Sequence, residues 1–477
     1  MSQKKLFGKL NARHIIWLIT LSFLTGTLFL VFYYKVHSIF LSAPLIALLL
    51  VLIDSTQTKH SVRKNYPLVG RLRYLFESVR PEFRQYFFEG ELDGKPFNRR
   101  QRSIVYQRAK NEKQTISFGM QDEPNRIGYE WAAHSIYPKK NDFSQFRVTI
   151  GNSQCSKPYS ASIFNISAMS YGALSKTAIS SLNEGAKMGN FAHNTGEGGI
   201  SDYHLKGGDL IWQIGTGYFG CRDGKGHFND ALFVEKANLK EVKMIEIKLS
   251  QGAKPGHGGL LPAEKNTPEI ARIRALEPHK TVHSPSAHTA FSNAIELLHF
   301  IQKLRNLSNG KPVGFKICIG KKEEFTEIIE AMLNTNILPD FITIDGAEGG
   351  TGAAPLEFID YMGMALSDAL VFAHKSLVDY GLRNEIKILA SGKIISAFDI
   401  AKSMSLGADA CYSARGMMFA LGCIQALQCD SGKCPVGIAT QDKSLYKGLD
   451  ITDKRVRVAN FHKNTLKAVA EFIGACG

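Results

Sequence analysis

From about residue 160 onward, short apolar runs alternate with amphipathic segments, and this alternation constrains the fold of the 477-residue chain more than any other feature. The runs are "SIFNISAMS" (162–170), "VKMIEIKLS" (242–250), "VGFKICIG" (313–320), "FITIDGAEGG" (341–350), "IKILASGK" (386–393) and "ADACYSARG" (408–416). Between them lie "KTAISSLNEGAKMG", "AIELLHFIQKLRNL", "EEFTEIIEAMLN" and "SAFDIAKSMSLG", with apolar residues at helical spacing. Strands alternating with helices imply a parallel sheet. Unbroken apolar stretches such as "FITI" and "IKIL" fit strands covered on both faces. An open doubly wound sheet and a closed barrel both satisfy this pattern.

The polar and glycine-rich residues help to choose between them. They recur directly after the strands: Ser167, Ser170 and Gly172, then "NTGEGG" (194–199), "QGAKPGHGG" (251–259), "DGAEGGTGAAP" (345–355), "SGK" (391–393) and "SARG" (413–416). Functional groups after many different strands are what the carboxyl-end face of a barrel offers. A dinucleotide fold would concentrate its glycines after one strand, as G-x-G-x-x-G, and no such fingerprint stands out. The expected fold is therefore an α/β (β/α)8 TIM barrel.

The amino-terminal end follows different rules. Ile15 to Tyr34 has no charged residue over 20 positions, and Val36 to Ile53 none over 18. Each is close to the ~20 residues that cross a ~30 Å hydrocarbon core, so the pair reads as a two-helix transmembrane hairpin. A cleaved signal peptide would have a shorter apolar region, and no small-residue cleavage pattern precedes the second run. Lys4, Lys5, Lys9 and Arg13 precede the hairpin; Lys59, Arg63, Lys64, Arg71 and Arg73 follow it. Basic flanks stay on the cytoplasmic side, which puts both ends and everything after residue 54 in the cytosol.

This end also accounts for the charge. Of a net +15, the first 110 residues hold +12, from 18 Lys and Arg against 6 Asp and Glu. The excess sits where it can meet anionic lipid headgroups, which removes most of the case for nucleic acid as a partner. Eight cysteines in a cytosolic chain are more plausible as free thiols or metal ligands than as disulfides.

Several residues are candidates for chemistry. Ser391, Gly392 and Lys393 precede one helix, and Ala414, Arg415 and Gly416 precede the next. Two adjacent helix starts and an arginine suit a phosphate; tight strand–helix turns with a surface cation are the bland alternative. Lys248, Lys254 and Arg274 suit a dicarboxylate, since Arg matches carboxylates bidentately. Glu197, in "NTGEGG", is a carboxylate among glycines after a strand and so a candidate acid–base group. Cys423, Cys429 and Cys434 are spaced C-x5-C-x4-C, which is neither a zinc nor a thioredoxin-like pattern. On spacing alone an iron–sulfur centre and ordinary buried thiols both stay open.

Residues from about 160 to 445 resemble the flavin-binding synthase domain of glutamate synthase, particularly the short standalone members of that family. The resemblance rests on "SAMSYGALS", "NTGEGG", "IKLSQGAKPGHGG", "DGAEGGTGAAP" and "GCIQALQCDSGKCPVGIATQD", in that order. It implies a barrel carrying FMN and a 3Fe-4S cluster, the cluster held by Cys423, Cys429 and Cys434. By the same matching, Glu197, Lys248, Lys254 and Arg274 lie near flavin and 2-oxoglutarate. Met169, Ser170, Gly349, Gly350, Thr351, Ser391, Gly392, Lys393, Ala414 and Arg415 would cradle FMN, with Lys248 beside them. The implied chemistry is reductive: electrons pass through the cluster to FMN, and hydride passes to the imine of 2-oxoglutarate and ammonia, giving L-glutamate.

The chain also departs from the family. Full-length members begin with a glutaminase domain whose nucleophile is an amino-terminal cysteine, and here no cysteine precedes Cys155. Ammonia or a nitrogen-supplying subunit is therefore expected, along with a separate electron-donor protein. His257 and Leu260 stand where the large enzymes usually carry Glu and Gln, and Ala347-Glu348 replaces a His-Asp pair. These changes bear on the oxo acid and the amine, so a synthase for a related amino acid, such as an N-substituted glutamate, is the second reading. A non-catalytic membrane electron-transfer subunit is the third. The expected organisation is a basic tail (1–13), a membrane hairpin (14–54), an adapter (55–155), the flavin-binding barrel (156–450) and a carboxyl-terminal helical tail (451–477).

Overall fold

The computed structural model describes residues 11–112, 114–253, 258–352 and 354–477. The chain divides into two compact units, Met1–Arg99 and Arg100–Gly477.

In the first unit, helices α1 (Ala12–Tyr33) and α2 (Ser42–Thr56) are joined by a tight connection. With the turn Ser38–Leu41 that leads into α2, both are long and apolar enough to cross a membrane by length and composition. Two further helices follow, α3 (Ser61–Asn65) and α4 (Gly70–Phe83). The one acidic residue of α2, Asp54, is fully buried. It accepts from Arg63 Nη2 at 2.7 Å, Arg71 Nε at 2.8 Å and the Leu68 amide at 3.0 Å. A buried carboxylate is tolerated only when such donors surround it, so these bonds fix the chain reversal between α2 and α4.

In the second unit, eight parallel strands close into a barrel: β1 (Phe164–Ile166), β2 (His193–Asn194), β3 (Leu210–Ile214), β4 (Val242–Lys248), β5 (Val313–Ile317), β6 (Phe341–Asp345), β7 (Lys387–Ser391) and β8 (Ala410–Ser413). Each pairs with its sequence neighbours, and β8 pairs with β1. The expected barrel is present. The strands are shorter than the apolar runs suggested, because the second half of each run turns into the loop that carries its polar groups. β2 and β3 did not stand out in the sequence; β2 has only two residues, and the loop 195–209 replaces a helix between them.

Helix ends follow local capping chemistry. The Ser175 side chain accepts from the Ala178 amide to start Lys176–Gly189, and Asn190 closes that helix in the left-handed conformation at φ 52°. Ser396 and Asp399 form a reciprocal capping box ahead of Ala397–Ser405. Ile451–Cys476 is a 26-residue helix built into the outer layer of the barrel. Phe461 sits edge-on to Phe164, and His462 stacks on Phe191 at 3.9 Å.

The amino-terminal end of the barrel is closed by an antiparallel hairpin, Arg147–Ile150 with Tyr159–Ser162. Ile150 and Ala161 pack with Ile211, Met244, Phe341, Leu389 and Ala410 in one buried cluster. With that end plugged, ligand access falls to the opposite end, where strands run into loops.

Candidate active site

Along the barrel axis the interior changes from apolar to polar to charged. Alternate residues of a strand share a face, so Met244, Glu246 and Lys248 of β4 mark three levels, as do Phe341, Thr343 and Asp345 of β6. The middle level is a hydrogen-bonded plug. Glu246 accepts from Asn194 Nδ2 and Gln213 Nε2, both at 2.7 Å, and from Thr343 Oγ1 at 2.6 Å. Thr343 and Glu246 come from strands that are not neighbours, so their bond crosses the interior. This satisfied network supports the mouth from below.

At the mouth, Lys248 Nζ donates to Glu197 Oε1 at 2.6 Å. His288 lies behind the lysine, with Nε2 2.9 Å from the Lys248 carbonyl and Nδ1 3.0 Å from the Tyr218 hydroxyl. Burial lowers the His288 pKa, so the ring is neutral and donates from one nitrogen. The Glu197 loop folds tightly because Gly215, at the end of β3, leaves room for it. A Cβ on Gly215 would come within 2.4 Å of Glu197 Oε2.

Arg274 ends the helix Pro268–Arg274 and is buried. Its Nη2 donates to the Tyr171 carbonyl at 3.0 Å, and its Cζ lies 5.1 Å from the centre of the Phe219 ring. The Nε atom is buried and has no hydrogen-bond partner among the described residues. Burial lowers the pKa to about 10, with Glu197 opposing that shift; the guanidinium stays charged at neutral pH. Gly172 and Gly198 leave it space, since a Cβ there would stand 2.8 and 3.1 Å from Nη2. A buried arginine with unspent donors is suited to an incoming carboxylate.

The next charged group across the mouth is Lys316, on β5. It is buried and 3.3 Å from Asp345 Oδ2. Burial opposes its charge, but Asp345, Glu246 and Glu197 together more than offset this, and its pKa is raised. The same Asp345 oxygen accepts from the Gly252 amide at 2.8 Å. Lys254 and His257 lie outside the described residues.

The positions matched to a flavin cradle gather around the same opening. Gly196, at φ +65°, lets the "NTGEGG" loop approach Met169 and Ser170; a Cβ there would stand 2.7 Å from the Ser170 amide nitrogen. Ser391 Oγ lies 3.5 Å from Ser167 Oγ, and Gly392 and Lys393 both adopt positive φ. Ala414 caps the helix Arg415–Leu421. Arg415 donates to the Glu348 carbonyl and lies against Gly350, where a Cβ would meet its Cζ at 2.9 Å. Burial lowers its pKa to about 10, opposed by Asp345 and Glu348. Gly349 sits over Gly252, and Thr351 continues the same loop. The Glu348 carboxylate accepts from the Leu366 amide at 3.0 Å. It therefore caps the helix Leu366–Asp379.

Cys423, Cys429 and Cys434 all carry free thiols, Cys434 buried and the other two half-buried. Burial raises the Cys423 pKa to about 12, with Cys429 and Cys434 adding to the shift and Arg102 opposing it. Burial and Cys434 likewise raise Cys429, opposed by Lys265. Tyr106 donates to the Cys423 carbonyl at 2.6 Å, and the Gln425 amide to Cys423 Sγ at 3.4 Å. Gly352 brings the Gly349–Thr351 loop to Cys429, since its Cβ would stand 3.5 Å from that of Cys429. Among the described residues no three Cys, His, Asp or Glu side chains form a group that could hold a metal ion.

Lys316, Asp345, Glu246 and His288 were missed in the sequence. For the first three a signal existed: charges inside the apolar runs "MIEIK", "FITID" and "GFKI", two of them two residues apart in "MIEIK", mark one face of a strand that is otherwise apolar. Nothing local marks His288, which reaches the site from a long loop.

Comparison with known proteins then adds a family. Residues 104–477 match the model described as the conserved region in glutamate synthase. The glutamate synthase large subunit-like protein YerD of Bacillus subtilis is 37% identical over 466 residues, 89% of this chain and 88% of that protein. The archaeal glutamate synthase (NADPH) of Methanocaldococcus jannaschii is 35% identical over 358 residues, 74% of this chain and 66% of that one. The archaeal-type glutamate synthase (NADPH) of Thermotoga maritima is 34% identical over 312 residues, and the chain spans 58% of its length. Among solved structures, a flavocytochrome b2 variant with sulfite bound has a TM-score of 0.44 at 12% identity, covering 85% of this chain and 82% of that one.

Proposed function

This chain belongs to the glutamate synthase family, and on that premise we propose that it is a membrane-anchored oxidoreductase that aminates 2-oxoglutarate, or a closely related 2-oxo acid, to the L-amino acid. The observation that carries the reading is Arg274, a buried cation with an unspent Nε, in the same barrel mouth as the Glu197–Lys248 pair.

The mouth fits FMN. Glycines that a Cβ would fill line the loops after β2, β6 and β7, and half-buried Arg415 and buried Lys316 offer positive charge to an electron-rich ring or a phosphate. When bound there, FMN supplies the hydride chemistry of the reaction. Met169, Ser170, Gly349, Gly350, Thr351, Ser391, Gly392, Lys393, Ala414 and Arg415 would hold it. The chain's own residues do the rest. Arg274 takes a substrate carboxylate, joined by Lys254, and fixes which carbon faces the cofactor. Lys248 holds positive charge beside the reacting centre, and Glu197 keeps that ammonium in place and moves a proton. The Glu246 plug keeps these groups rigid.

The reading of a cluster at Cys423, Cys429 and Cys434 rests on their C-x5-C-x4-C spacing and on the family resemblance. Burial raises Cys423 and Cys429, and the Gln425 amide, Arg102 and Lys265 offset only part of that, so bound iron would have to supply the charge that holds the thiolates. A 3Fe-4S cluster held by Cys423, Cys429 and Cys434 would supply one-electron delivery beside the Gly349–Thr351 loop. Electrons then arrive from a separate donor protein, and nitrogen as ammonia or from a partner subunit. The helices α1 and α2 span the membrane and leave the barrel in the cytoplasm.

The direct test is anaerobic. Purified protein, reduced chemically and mixed with 2-oxoglutarate and ammonium, should reoxidise and yield L-glutamate in equal amount. Absence of reoxidation with every 2-oxo acid tried would overturn the synthase reading.

A further inference from the structure

We infer that α4, with the turn Arg84–Phe88 that continues it, is a second membrane contact: an amphipathic helix lying in the headgroup region of an anionic bilayer. The inference rests on the reading of α1 and α2 as membrane spans.

The two sides of α4 are sharply different. One side is used inside the unit. Gly70 packs on the backbone of Val62 and Arg63, where a Cβ would stand 3.0 Å from Arg63 Cα, and the Tyr74 ring lies tilted against His60, 4.9 Å between centres. The opposite side carries Val69, Leu72, Phe76, Phe83 and Phe87, which follow helical spacing and form one stripe. Among the described residues of its own unit the stripe is left exposed, Phe76 to 65% and Phe87 to 74%. Arg73, Arg80 and Arg84 lie along one edge of this stripe. Aromatic and aliphatic residues bordered by arginines are the composition of a helix that partitions into a membrane interface.

The bilayer is favoured as the occupant by two further observations. Between residues 59 and 84 there are seven Lys and Arg against two Glu, a balance complementary to an anionic leaflet. The helix is also attached to the cytoplasmic end of the hairpin. Asp54, in the last turn of α2, is clamped by Arg63 and by Arg71 in the first turn of α4. At the base of α1, Trp17 Nε1 donates to Ser55 Oγ at 3.1 Å, and Arg13 to the Ser55 carbonyl at 3.3 Å. If α1 and α2 span the bilayer, this clamp holds α4 beside its surface, so the stripe pays little additional ordering entropy to insert.

The experiment uses the full chain in vesicles, with the photocrosslinker p-benzoylphenylalanine placed at Phe76, at Phe83 or at Tyr74. In vesicles of phosphatidylcholine with phosphatidylglycerol, Phe76 and Phe83 should give lipid adducts, and Tyr74 an adduct within the chain. Combining Arg73→Glu, Arg80→Glu and Arg84→Glu should lower the lipid adduct about five- to tenfold with phosphatidylglycerol present and little in phosphatidylcholine alone. Adducts from Phe76 to the barrel or to a second copy, in protein that resists carbonate extraction, would overturn the inference and leave the hairpin standing. Release of the whole chain by carbonate would overturn the hairpin reading and, with it, this one.

Discussion

Lys248 Nζ lies 2.6 Å from Glu197 Oε1, joining the last residue of β4 to the loop after β2. The pair is partly exposed, with side chains 14% and 35% accessible. It is therefore worth little to stability and is available to substrate. Glu197→Gln keeps the shape and loses the charge. It should lower kcat by about 10²–10⁴, the range for a proton-transfer group, and leave the melting temperature near that of the parent. Anaerobic single-turnover rates and a thermal melt check both halves.

Arg274 should set the affinity for the oxo acid. Arg274→Lys keeps a cation and loses the fork, and KM for 2-oxoglutarate should rise about 10- to 100-fold, as expected for one charge-assisted hydrogen bond. Gly198→Ala, which places a methyl 2.8 Å from Ser170 Cβ and 3.1 Å from Arg274 Nη2, should shift KM in the same direction without touching the charge, along with a weaker hold on the flavin. Titration of the reoxidation rate with substrate measures both.

The cysteines predict a metal content. Cys429→Ser should abolish the iron and the EPR signal of the purified protein while flavin absorbance remains. Because the Gly352 loop meets Cys429, a small shift of the flavin spectrum is expected as well.

Arg305 and Asp340 hold the barrel floor together. The carboxylate of Asp340 accepts from Arg305 Nη2 at 3.0 Å, the Val313 amide at 2.8 Å and, in the plugging hairpin, the Asn152 amide at 2.9 Å. Both side chains are almost fully buried. Arg305→Met leaves a buried charge with fewer donors and should cost about 3–5 kcal/mol, seen as an earlier unfolding midpoint in denaturant.

Acid should weaken the barrel through its buried histidines. Burial pushes His204 and His462 down to about 3 from an ordinary 6.5. Their folded forms stay neutral while the unfolded chain takes up protons below 6.5. Stability is therefore full above pH 6.5 and is lost as pH falls from 6.5 toward 3, by up to about 1.4 kcal/mol per pH unit for each group. His462→Phe keeps the stack on Phe191 and gives up the contact with Ser162. It should reduce the slope of stability against pH by one such share.

Much of the site was readable from the chain because barrel chemistry is written directly after its strands. Ser391, Gly392, Ala414 and Arg415 follow β7 and β8 at once, and "NTGEGG" overlaps the end of β2. Those positions need only the rule that parallel strands deliver their loops to one end. Glu348 shows the opposite case: it is half of a pair that departs from the family and bears on the choice of oxo acid and amine, and in the fold its carboxylate caps a helix. Three thiols on one loop could be counted in the sequence, but not whether they face one another.

By itself the sequence determined six of the eight barrel strands, the parallel closed sheet, the two long apolar helices and the loops that carry chemistry. Each of these follows from local periodicity and from backbone rules that act within a few residues. Tertiary structure alone decided which charges meet. Lys248 reaches Glu197 across 51 residues, Thr343 reaches Glu246 across 97, and Tyr171 takes Arg274 across 103. Closure of the barrel creates those distances, since only a closed sheet directs side chains from distant strands toward one axis. Burial then fixes their charge states, which no linear spacing encodes.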